Sequence, residues 1–403
     1  MDSPLCETEL RGEDVWLALA KYFALDPKLN LLDSVSAVRI GVGQGYMCSV
    51  MQIKLNWKPI SIQYCQHLPQ SVIAKVPLSS QMKETFESLG FNDSILEEMD
   101  YHSTMQFMHN AECSFYLLSL KEKLNFPAAK CYAAWNTDET RVNVILLEDL
   151  NDVAATKGLF PGLGVEELKE VVEKIALLQA WSLNTDVEWQ KVVMNGEVLY
   201  ERFFKFIDHS INSLDDYLAK YSDKLASFDL NKANSVLKKQ QKDIIEFFTE
   251  HRKLIPDVIV HGDLWSNNMM FKLDGEGGKI SNKLAAIIDW QIVHGGSFVE
   301  DVAHLFVFSV NTEVRRAHQE AVFRHYYDTL MKHLHKPLTD ATFEACYDMF
   351  RKTLAFKQLS FAGMTDRFVD VISKGDEKLA QEMVNRIFES CVDGLIFLGC
   401  EKN

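Results

Sequence analysis

The residues that could do chemistry lie in a short polar segment between two apolar stretches. His261, Asp263 and Asn268 follow the apolar run 255–260, and Asp289 follows a second apolar run, 284–288. A carboxylate can orient an acceptor hydroxyl, and an amide oxygen together with a second carboxylate can hold Mg²⁺ on nucleotide phosphates. The spacing H-x-D-x-x-x-x-N, followed by a strand and an aspartate, therefore provides the groups that metal-assisted phosphoryl transfer requires.

The complete pattern is more specific than its parts. A lone H-x-D is common, and the alternative interpretation is a pair of buried hairpin strands whose turns happen to be polar. The pattern also needs an apolar run before each half and Asp289 placed 26 residues after Asp263, a combination that seldom arises by chance. Trp290 and Gln291 follow Asp289 in place of the Phe-Gly of protein kinases, which disfavours a protein kinase.

A lysine lies at the centre of a short apolar stretch upstream. Residues 72–76 read VIAKV, which predicts a strand with Lys75 in its middle. A buried ammonium is costly unless it is paired. One interpretation is a lysine that holds the α- and β-phosphates of a nucleotide. The alternative is an edge-strand lysine that faces solvent.

These segments resemble those of the kinase-like phosphotransferases of small molecules. The group includes aminoglycoside phosphotransferases, choline and ethanolamine kinases and, most similar, the ecdysteroid kinase-like proteins with their nematode, CHK kinase-like branch. The resemblance extends from about residue 72 to residue 291, in the order VIAKVP, HNAECSFY, ILLEDL, VIVHGDLWSNNMMF and AAIIDWQ. It implies an α+β, bilobal protein-kinase-like fold, with an N-terminal antiparallel sheet plus helix and a larger, mainly helical C-terminal lobe.

The resemblance also implies roles for the residues of the polar segment. Asp263 would be the catalytic carboxylate, and His261 would brace its loop, a role favoured over that of a base. Asn268 and Asp289 would be the Mg²⁺ ligands on bound ATP. Asp301, in the stretch SFVEDVAHLF, corresponds to a later aspartate that braces the same loop in the family; a helix N-terminal cap is the compatible alternative.

In the N-terminal lobe the resemblance implies a nucleotide site. Lys75 would contact the phosphates, and its expected partner is the helical Glu112, with Glu97 and Glu98 as rivals. The segment LEDL would be the hinge, where backbone groups around Glu148 and Leu150 pair with adenine.

A glycine-rich turn precedes Lys75. Strand-like alternation over residues 35–40 and 47–55 encloses Gly41, Gly43 and Gly45. Such a turn can lie over phosphates, because backbone N–H groups approach closely only where Cβ is absent. The spacing G-x-G-x-G differs from the protein-kinase pattern, and an ordinary flexible turn is an equal alternative.

The rest of the chain predicts the lobes and their helices. We place the nucleotide-binding lobe at residues 1–150 and the catalytic and acceptor-binding lobe at residues 151–403. Strands are expected at 131–135 and 142–147. Apolar periodicity predicts helices at 104–120, 166–183, 200–221, 231–252, 312–334, 339–360 and 378–398.

Composition excludes several classes of partner. Hydrophobic and charged contents of 47% and 25% are ordinary for a globular protein, and 403 residues suffice for two domains. The net charge of −15 argues against nucleic acid and anionic membrane as partners. The first ten residues lack the apolar core of a signal peptide, and the eight cysteines lack zinc-site spacing. We expect a cytoplasmic protein with free thiols and no membrane partner.

The acceptor is the least defined part of the site. Trp265 and Trp290 lie beside the motif residues, and the C-terminal region carries Phe298, Phe306, Phe308, Phe350, Phe356, Phe361 and Phe368. A pocket lined by some of these rings favours an apolar alcohol, such as a steroid or xenobiotic conjugate. A cation–π cage would instead suit choline or ethanolamine.

An alternative from another class is a non-catalytic kinase-fold binding module. Its usual sign is the loss of the lysine, the catalytic aspartate or a metal ligand, and Lys75, Asp263, Asn268 and Asp289 are all present. The prediction is therefore an ATP- and Mg²⁺-dependent phosphotransferase with an alcohol group as acceptor. The sequence assigns neither the oligomeric state nor any regulation.

Overall fold

A computed structural model describes residues 1, 3–40, 48–78, 83, 87, 100–136, 142–275 and 278–402. The glycines 41, 43 and 45 and the rival glutamates 97 and 98 lie outside these residues. The chain forms two compact units, Met1–Ala154 and Ala155–Asn403.

The first unit is built on a five-stranded sheet. Its strands have the order β1-β2-β3-β5-β4, and every pairing in the sheet is antiparallel. The strands are β1 (Leu32–Arg39), β2 (Cys48–Trp57), β3 (Ser71–Pro77), β4 (Cys131–Trp135) and β5 (Val144–Glu148). In β2, buried side chains alternate with more exposed ones, so one face of this strand joins the core.

Two helices accompany this sheet. Helix α2 (Tyr101–Glu122) packs against β3 and β4, as expected from the sequence, although it begins three residues earlier than the predicted start. Helix α1 (Gly12–Tyr22) was not predicted; its Val15, Trp16 and Leu19 are buried in the core of the sheet. The sheet-plus-helix architecture expected for the N-terminal part is thus present.

The second unit is mainly helical, which confirms the rest of the predicted fold class. Helix α3 (Val165–Asn184) matches its prediction and packs against α9. The other helices are α4 (Gly196–Arg202), α5 (Phe204–Lys220), α6 (Leu230–Lys242), α7 (Ile244–Thr249), α8 (Glu300–Phe308), α9 (Thr312–Lys332), α10 (Phe343–Ser360), α11 (Ala362–Ser373) and α12 (Glu377–Phe397).

Two predicted helices are each divided. The predicted helix 200–221 is interrupted at Phe203, and the predicted helix 231–252 is interrupted at Asp243. The helices on both sides of each break contribute residues to one hydrophobic core, so the apolar periodicity continues across the breaks.

Short strands that follow β5 in the chain position the polar motif. They are β6 (Ala154–Thr156), β7 (Met194–Asn195), β8 (Val258–Val260), β9 (Met269–Asp274), β10 (Lys279–Ile287) and β11 (His294–Gly296). Strands β9 and β10 form an antiparallel hairpin, and β11 pairs with β8. Within the described part of the chain, no helix is long and apolar enough to cross a bilayer. All eight cysteines are free thiols.

Candidate active site

The motif loop, residues 261–268, begins at the end of a completely buried strand. Val258, Ile259 and Val260 of β8 have no solvent exposure, and Val260 pairs with His294 of β11. The apolar run therefore anchors the loop, and the polar residues begin where the strand leaves the core.

Asp301 is hydrogen-bonded to the first two residues of the motif loop. Its Oδ2 accepts a hydrogen bond from the His261 backbone N–H, and its Oδ1 accepts one from Gly262, each at 2.9 Å. Burial raises the pKa of this carboxyl above its ordinary value, although the two backbone N–H donors oppose the shift. The contacts are those of the brace proposed from the sequence, made from the first turn of α8.

His261 also acts as a brace. Its Nε2 lies 2.9 Å from the carbonyl oxygen of Ile288, and its Nδ1 accepts from the Asp263 backbone N–H at 3.2 Å. A carbonyl can only accept and an N–H can only donate, so the ring carries its hydrogen on Nε2. Because both ring nitrogens are engaged and the residue is fully buried, the geometry favours the bracing role over that of a base.

Gly262 is required by the shape of the loop. Its φ is +88°, and an added Cβ would lie 2.8 Å from the Ile292 carbonyl oxygen. A side chain here would be strained and would also displace backbone. The glycine of the H-G-D triplet thus lets the loop turn between His261 and Asp263.

The motif loop brings Asp263 and Asn268 into contact, and Asp289 follows a residue that is hydrogen-bonded to Asn268. The Asn268 amide nitrogen donates to the Asp263 backbone oxygen at 2.9 Å and to its carboxylate Oδ2 at 3.1 Å. The Ile288 backbone N–H donates to the backbone carbonyl oxygen of Asn268 at 2.9 Å. Asp289 therefore directly follows a residue that is hydrogen-bonded to Asn268. Since the amide nitrogen of Asn268 is used by Asp263, its side-chain oxygen is the group left for a cation.

Asp289 has an uncommon backbone conformation. Its φ is +67°, in the left-handed region that non-glycine residues seldom occupy except as Asn or Asp. Such conformations cost energy and concentrate at functional sites. The positive φ indicates that the surrounding structure imposes the backbone conformation of Asp289.

These groups fit Mg²⁺. Asn268 and Asp289 offer hard oxygen atoms, and Mg²⁺ in nucleotide sites is bound by one or two such side chains while phosphates and water complete its shell. Among the described residues there is no cluster of three or more His, Cys, Asp or Glu side chains suited to a metal. A site with one amide and one carboxylate would therefore depend on the nucleotide for its remaining ligands.

A histidine that the sequence analysis did not single out contacts Asp263. His304 lies one helical turn after Asp301 on α8, and its Nε2 is 3.3 Å from Asp263 Oδ1. Burial raises the pKa of Asp263, but the hydrogen bonds from His304 and from the Asn268 amide outweigh it, so the pKa lies below its ordinary value. The i, i+3 spacing from Asp301 was the available signal, because it places both side chains on one helix face.

The two tryptophans beside the motif differ. Trp290 has no solvent exposure, and its Nε1 donates to the Ile287 carbonyl at 3.0 Å, so it is a core residue. Trp265 is half-buried and lies in the loop itself. The adjacent Ser266 is fixed by its backbone N–H, which donates to Ser309 Oγ at 2.8 Å.

In the first unit, Lys75 and Glu112 form a buried ion pair. The Lys75 ammonium lies 2.6 and 2.7 Å from the two Glu112 carboxylate oxygens, and the side chains are 9% and 3% exposed. Lys75 is in β3 and Glu112 is in α2, so the pair joins helix to sheet. The pairing expected from the sequence is present; its role in binding nucleotide stays a prediction.

The expected hinge follows the end of β5. The Glu148 N–H donates to the Lys130 carbonyl at 2.7 Å, and the Leu150 carbonyl accepts from Val153 and Ala154. These two backbone groups are therefore engaged within the unit. A contact between adenine and this segment stays a prediction, and it would have to use the other backbone groups of Glu148 and Leu150.

The comparisons with known proteins identify the family. The chain belongs to the family DUF1679, described as "Uncharacterized oxidoreductase dhs-27", whose model matches residues 3–396. It is 25% identical to "Uncharacterized oxidoreductase dhs-27" of Caenorhabditis elegans over 302 residues, which are 71% of this chain and 34% of that protein. The chain thus spans about a third of that relative. It is 23% identical to "Uncharacterized kinase-like protein D1044.1" of the same organism, with 81% and 85% of the two chains covered.

Solved structures with similar folds include two phosphotransferases. One is choline kinase from Cryptosporidium parvum Iowa II, 11% identical, with a TM-score of 0.48 and 95% of each chain covered. Another is a putative aminoglycoside phosphotransferase from Ralstonia eutropha JMP134, 13% identical, with a TM-score of 0.45 and 96% and 99% of the two chains covered.

Proposed function

We propose that this protein transfers a phosphoryl group from ATP, with Mg²⁺, to the hydroxyl group of a small molecule. The observation that carries the proposal is the arrangement of Asp263, Asn268 and Asp289. The Asn268 amide nitrogen donates to the Asp263 carboxylate, which leaves the side-chain oxygen of Asn268 to bind a cation. The backbone carbonyl of Asn268 accepts a hydrogen bond from Ile288, the residue before Asp289. A partly exposed carboxylate beside two hard oxygen ligands is what such a transfer needs.

Each of these residues has a defined task in the proposal. Asp263, whose side chain is 28% exposed, would accept a hydrogen bond from the acceptor hydroxyl and take its proton late in the transfer. Its lowered pKa keeps it ionised at neutral pH. Asn268 and Asp289 would hold Mg²⁺, which when bound would neutralise charge on the phosphates. Lys75, kept in place by Glu112, would bind nucleotide phosphate.

The name of one relative raises a different activity, that of an oxidoreductase. Dinucleotide-binding domains use a mostly parallel sheet and a G-x-G-x-x-G turn. No G-x-G-x-x-G occurs in this sequence, and the five-stranded sheet is antiparallel. Since the match covers 34% of the protein that carries the name, we do not extend that activity to this chain.

For the acceptor, we favour an apolar alcohol of the steroid or xenobiotic-conjugate class, in keeping with the ecdysteroid kinase-like resemblance. Phe298, Phe306, Phe350 and Phe356 are buried in the core, whereas Phe308 and Phe361 keep part of their surface exposed. Phe308 lies 4.5 Å, ring centre to ring centre, from His304, which contacts Asp263. Phe361 lies 5.4 Å from Phe308.

This aromatic pair also leaves choline or ethanolamine as the second candidate, because a cation can bind to ring faces. The pair would offer such a ligand two rings. The proposed location of the protein is the cytosol, in keeping with its free thiols.

The test is a transfer assay with purified protein, Mg²⁺ and labelled ATP on a metabolite extract fractionated by polarity. Label should enter an apolar fraction. Asp263→Asn should keep the thermal midpoint and ATP binding but lose transfer by about 10² to 10⁴-fold. Asp289→Asn should abolish transfer with the fold intact, because Asn tolerates the positive φ. The exposed Asp274→Asn, on the same hairpin, is the matched control and should behave as wild type.

Three results would separate the alternatives. Label in choline or ethanolamine would select the second acceptor class. ATP affinity that calorimetry finds equal with and without Mg²⁺ would refute the metal site. If wild type shows neither transfer nor slow ATP hydrolysis, while a partner protein binds wild type and Asp263→Asn alike, the non-catalytic binding module is correct.

A further inference from the structure

His304 is a buried polar residue for which the proposed reaction so far gives no role. Its ring is 7% exposed and lies among aromatic rings, 4.5 Å from Phe308 and 6.3 Å from Phe361 between ring centres. Its Nδ1 has no hydrogen-bond partner in the described part of the chain. Burying a polar ring costs free energy, so the close contact of its Nε2 with Asp263 requires an explanation.

In the contact between His304 and Asp263, the histidine is the hydrogen-bond donor. Burial lowers the pKa of His304 more than Asp263 raises it, and the positive charge of Lys357 lowers it further. The imidazole is therefore neutral at neutral pH and carries one ring hydrogen. Since Nδ1 has no acceptor and Nε2 lies 3.3 Å from a carboxylate oxygen, that hydrogen belongs on Nε2.

The helix that carries His304 is fixed on two sides. Asp301 holds it to the motif loop through two backbone hydrogen bonds. Glu300 holds it to the rest of the unit: its carboxylate accepts from the Tyr200 hydroxyl at 2.6 Å and lies 3.6 Å from the Lys357 ammonium. The position of the His304 ring relative to the loop is thus set before any ligand binds.

We propose that His304 is a positioning residue that orients the Asp263 carboxylate toward the acceptor hydroxyl. Its Nε2–H donates to Oδ1 while the Asn268 amide donates to Oδ2, so two elements of the fold fix the plane of the carboxylate. A neutral donor suits this task, because it orients the carboxylate without cancelling the negative charge that must attract the hydroxyl proton. A lysine or arginine at this position would form an ion pair with it.

This inference rests on the proposed phosphoryl transfer, and a pair of substitutions tests it. His304→Phe keeps a flat ring of similar size but removes the donor. His304→Gln gives up the ring but can place an amide N–H near the position of Nε2. If His304 orients Asp263, the Phe variant should lose kcat by about 10- to 100-fold, as expected for a misplaced reacting group. Its KM for ATP should stay within twofold, and the Gln variant should recover most of the rate.

A purely structural role predicts the opposite order. The Phe variant would then retain the rate, and the Gln variant would lose it together with thermal stability. Equal rates in both variants and in wild type would overturn the proposal, as would equal losses in both variants. If wild type itself transfers no phosphate, the proposed function fails and the inference fails with it. An active wild type with an unimpaired Phe variant overturns the inference alone.

Discussion

Removal of one charge from the buried pair Lys75–Glu112 should destabilise the first unit strongly. The substitution is Glu112→Gln, which keeps the size of the side chain and removes its charge. The Lys75 ammonium would then lose the carboxylate at 2.6 Å in a place where its own side chain is only 9% exposed. The charge that remains has poor access to water, so its solvation cannot replace the lost partner.

The magnitude follows from this burial. Removing one partner of a buried pair typically costs about 3–5 kcal/mol. For a unit the size of Met1–Ala154, each kcal/mol lowers the thermal midpoint by roughly 2–4 °C, so the expected loss is about 6–20 °C. The surface pair Lys191–Glu188 has the same 2.6 Å separation, but its side chains are 72% and 70% exposed. Glu188→Gln should therefore change stability by no more than about 0.5 kcal/mol.

The assay is urea unfolding followed by circular dichroism, for wild type, Glu112→Gln, Lys75→Met and the double variant. Because the double variant has neither charge, it should be more stable than the sum of the single losses predicts, by about 1–3 kcal/mol. Additive losses would refute the argument that the two charges stabilise each other. A cost for Glu112→Gln no larger than that for Glu188→Gln would refute the argument that burial sets the magnitude.

Three further predictions concern the second unit. Gly262→Ala should lower the free energy of unfolding by more than about 1–2 kcal/mol, measured in urea, because it combines a positive φ with a Cβ 2.8 Å from the Ile292 carbonyl. Asp301→Ala should cost about 1–3 kcal/mol for each of the two buried N–H groups it leaves without an acceptor, and it should lower kcat because the motif loop loses its brace. His294→Gln should alter the pH dependence of stability. Burial lowers the pKa of His294, but Glu300 outweighs it, so the folded-state pKa lies above the ordinary value of about 6.5. The folded state then binds more protons, and wild type should lose stability as pH rises from about 6.5 through that pKa. Thermal midpoints across this range should fall less in the variant, and parallel curves would contradict the assignment.

The local parts of the candidate site were predictable from the sequence. His261, Asp263 and Asn268 lie within eight residues, between two apolar runs that contain β8 and the end of β10 in the structure. Short strands have few conformations, so the residues at their ends acquire nearly fixed positions. The strands of the first unit, the helix that carries Glu112 and the long helix Val165–Asn184 were found for the same reason, because their apolar periods are regular.

Contacts that join distant segments were not predictable in the same way. The pairing of Lys75 with Glu112 was expected from the family resemblance, with Glu97 and Glu98 as rivals, because the choice depends on how α2 lies on the sheet, 37 residues away in sequence. His304 contacts Asp263 across 41 positions. Its i, i+3 spacing from Asp301 places both side chains on one helix face, but it does not indicate which residue of the loop His304 contacts. Apolar periodicity indicates which face of a helix or strand is buried, but it does not indicate which residues that face contacts.

The sequence by itself therefore predicted which groups could react: Asp263 as the carboxylate for the acceptor, Asn268 and Asp289 as oxygen ligands, and the single lysine at the centre of an apolar strand. Only the tertiary structure shows how these groups are held. Asp301, which the family resemblance named as a brace, and His304, which the sequence analysis did not single out, both reach the motif loop because α8 packs beside it. The φ of +67° at Asp289 is likewise visible only in the structure. The residue types within a short segment indicate which groups could react. The orientation of those groups depends on the packing of segments that are far apart in the chain.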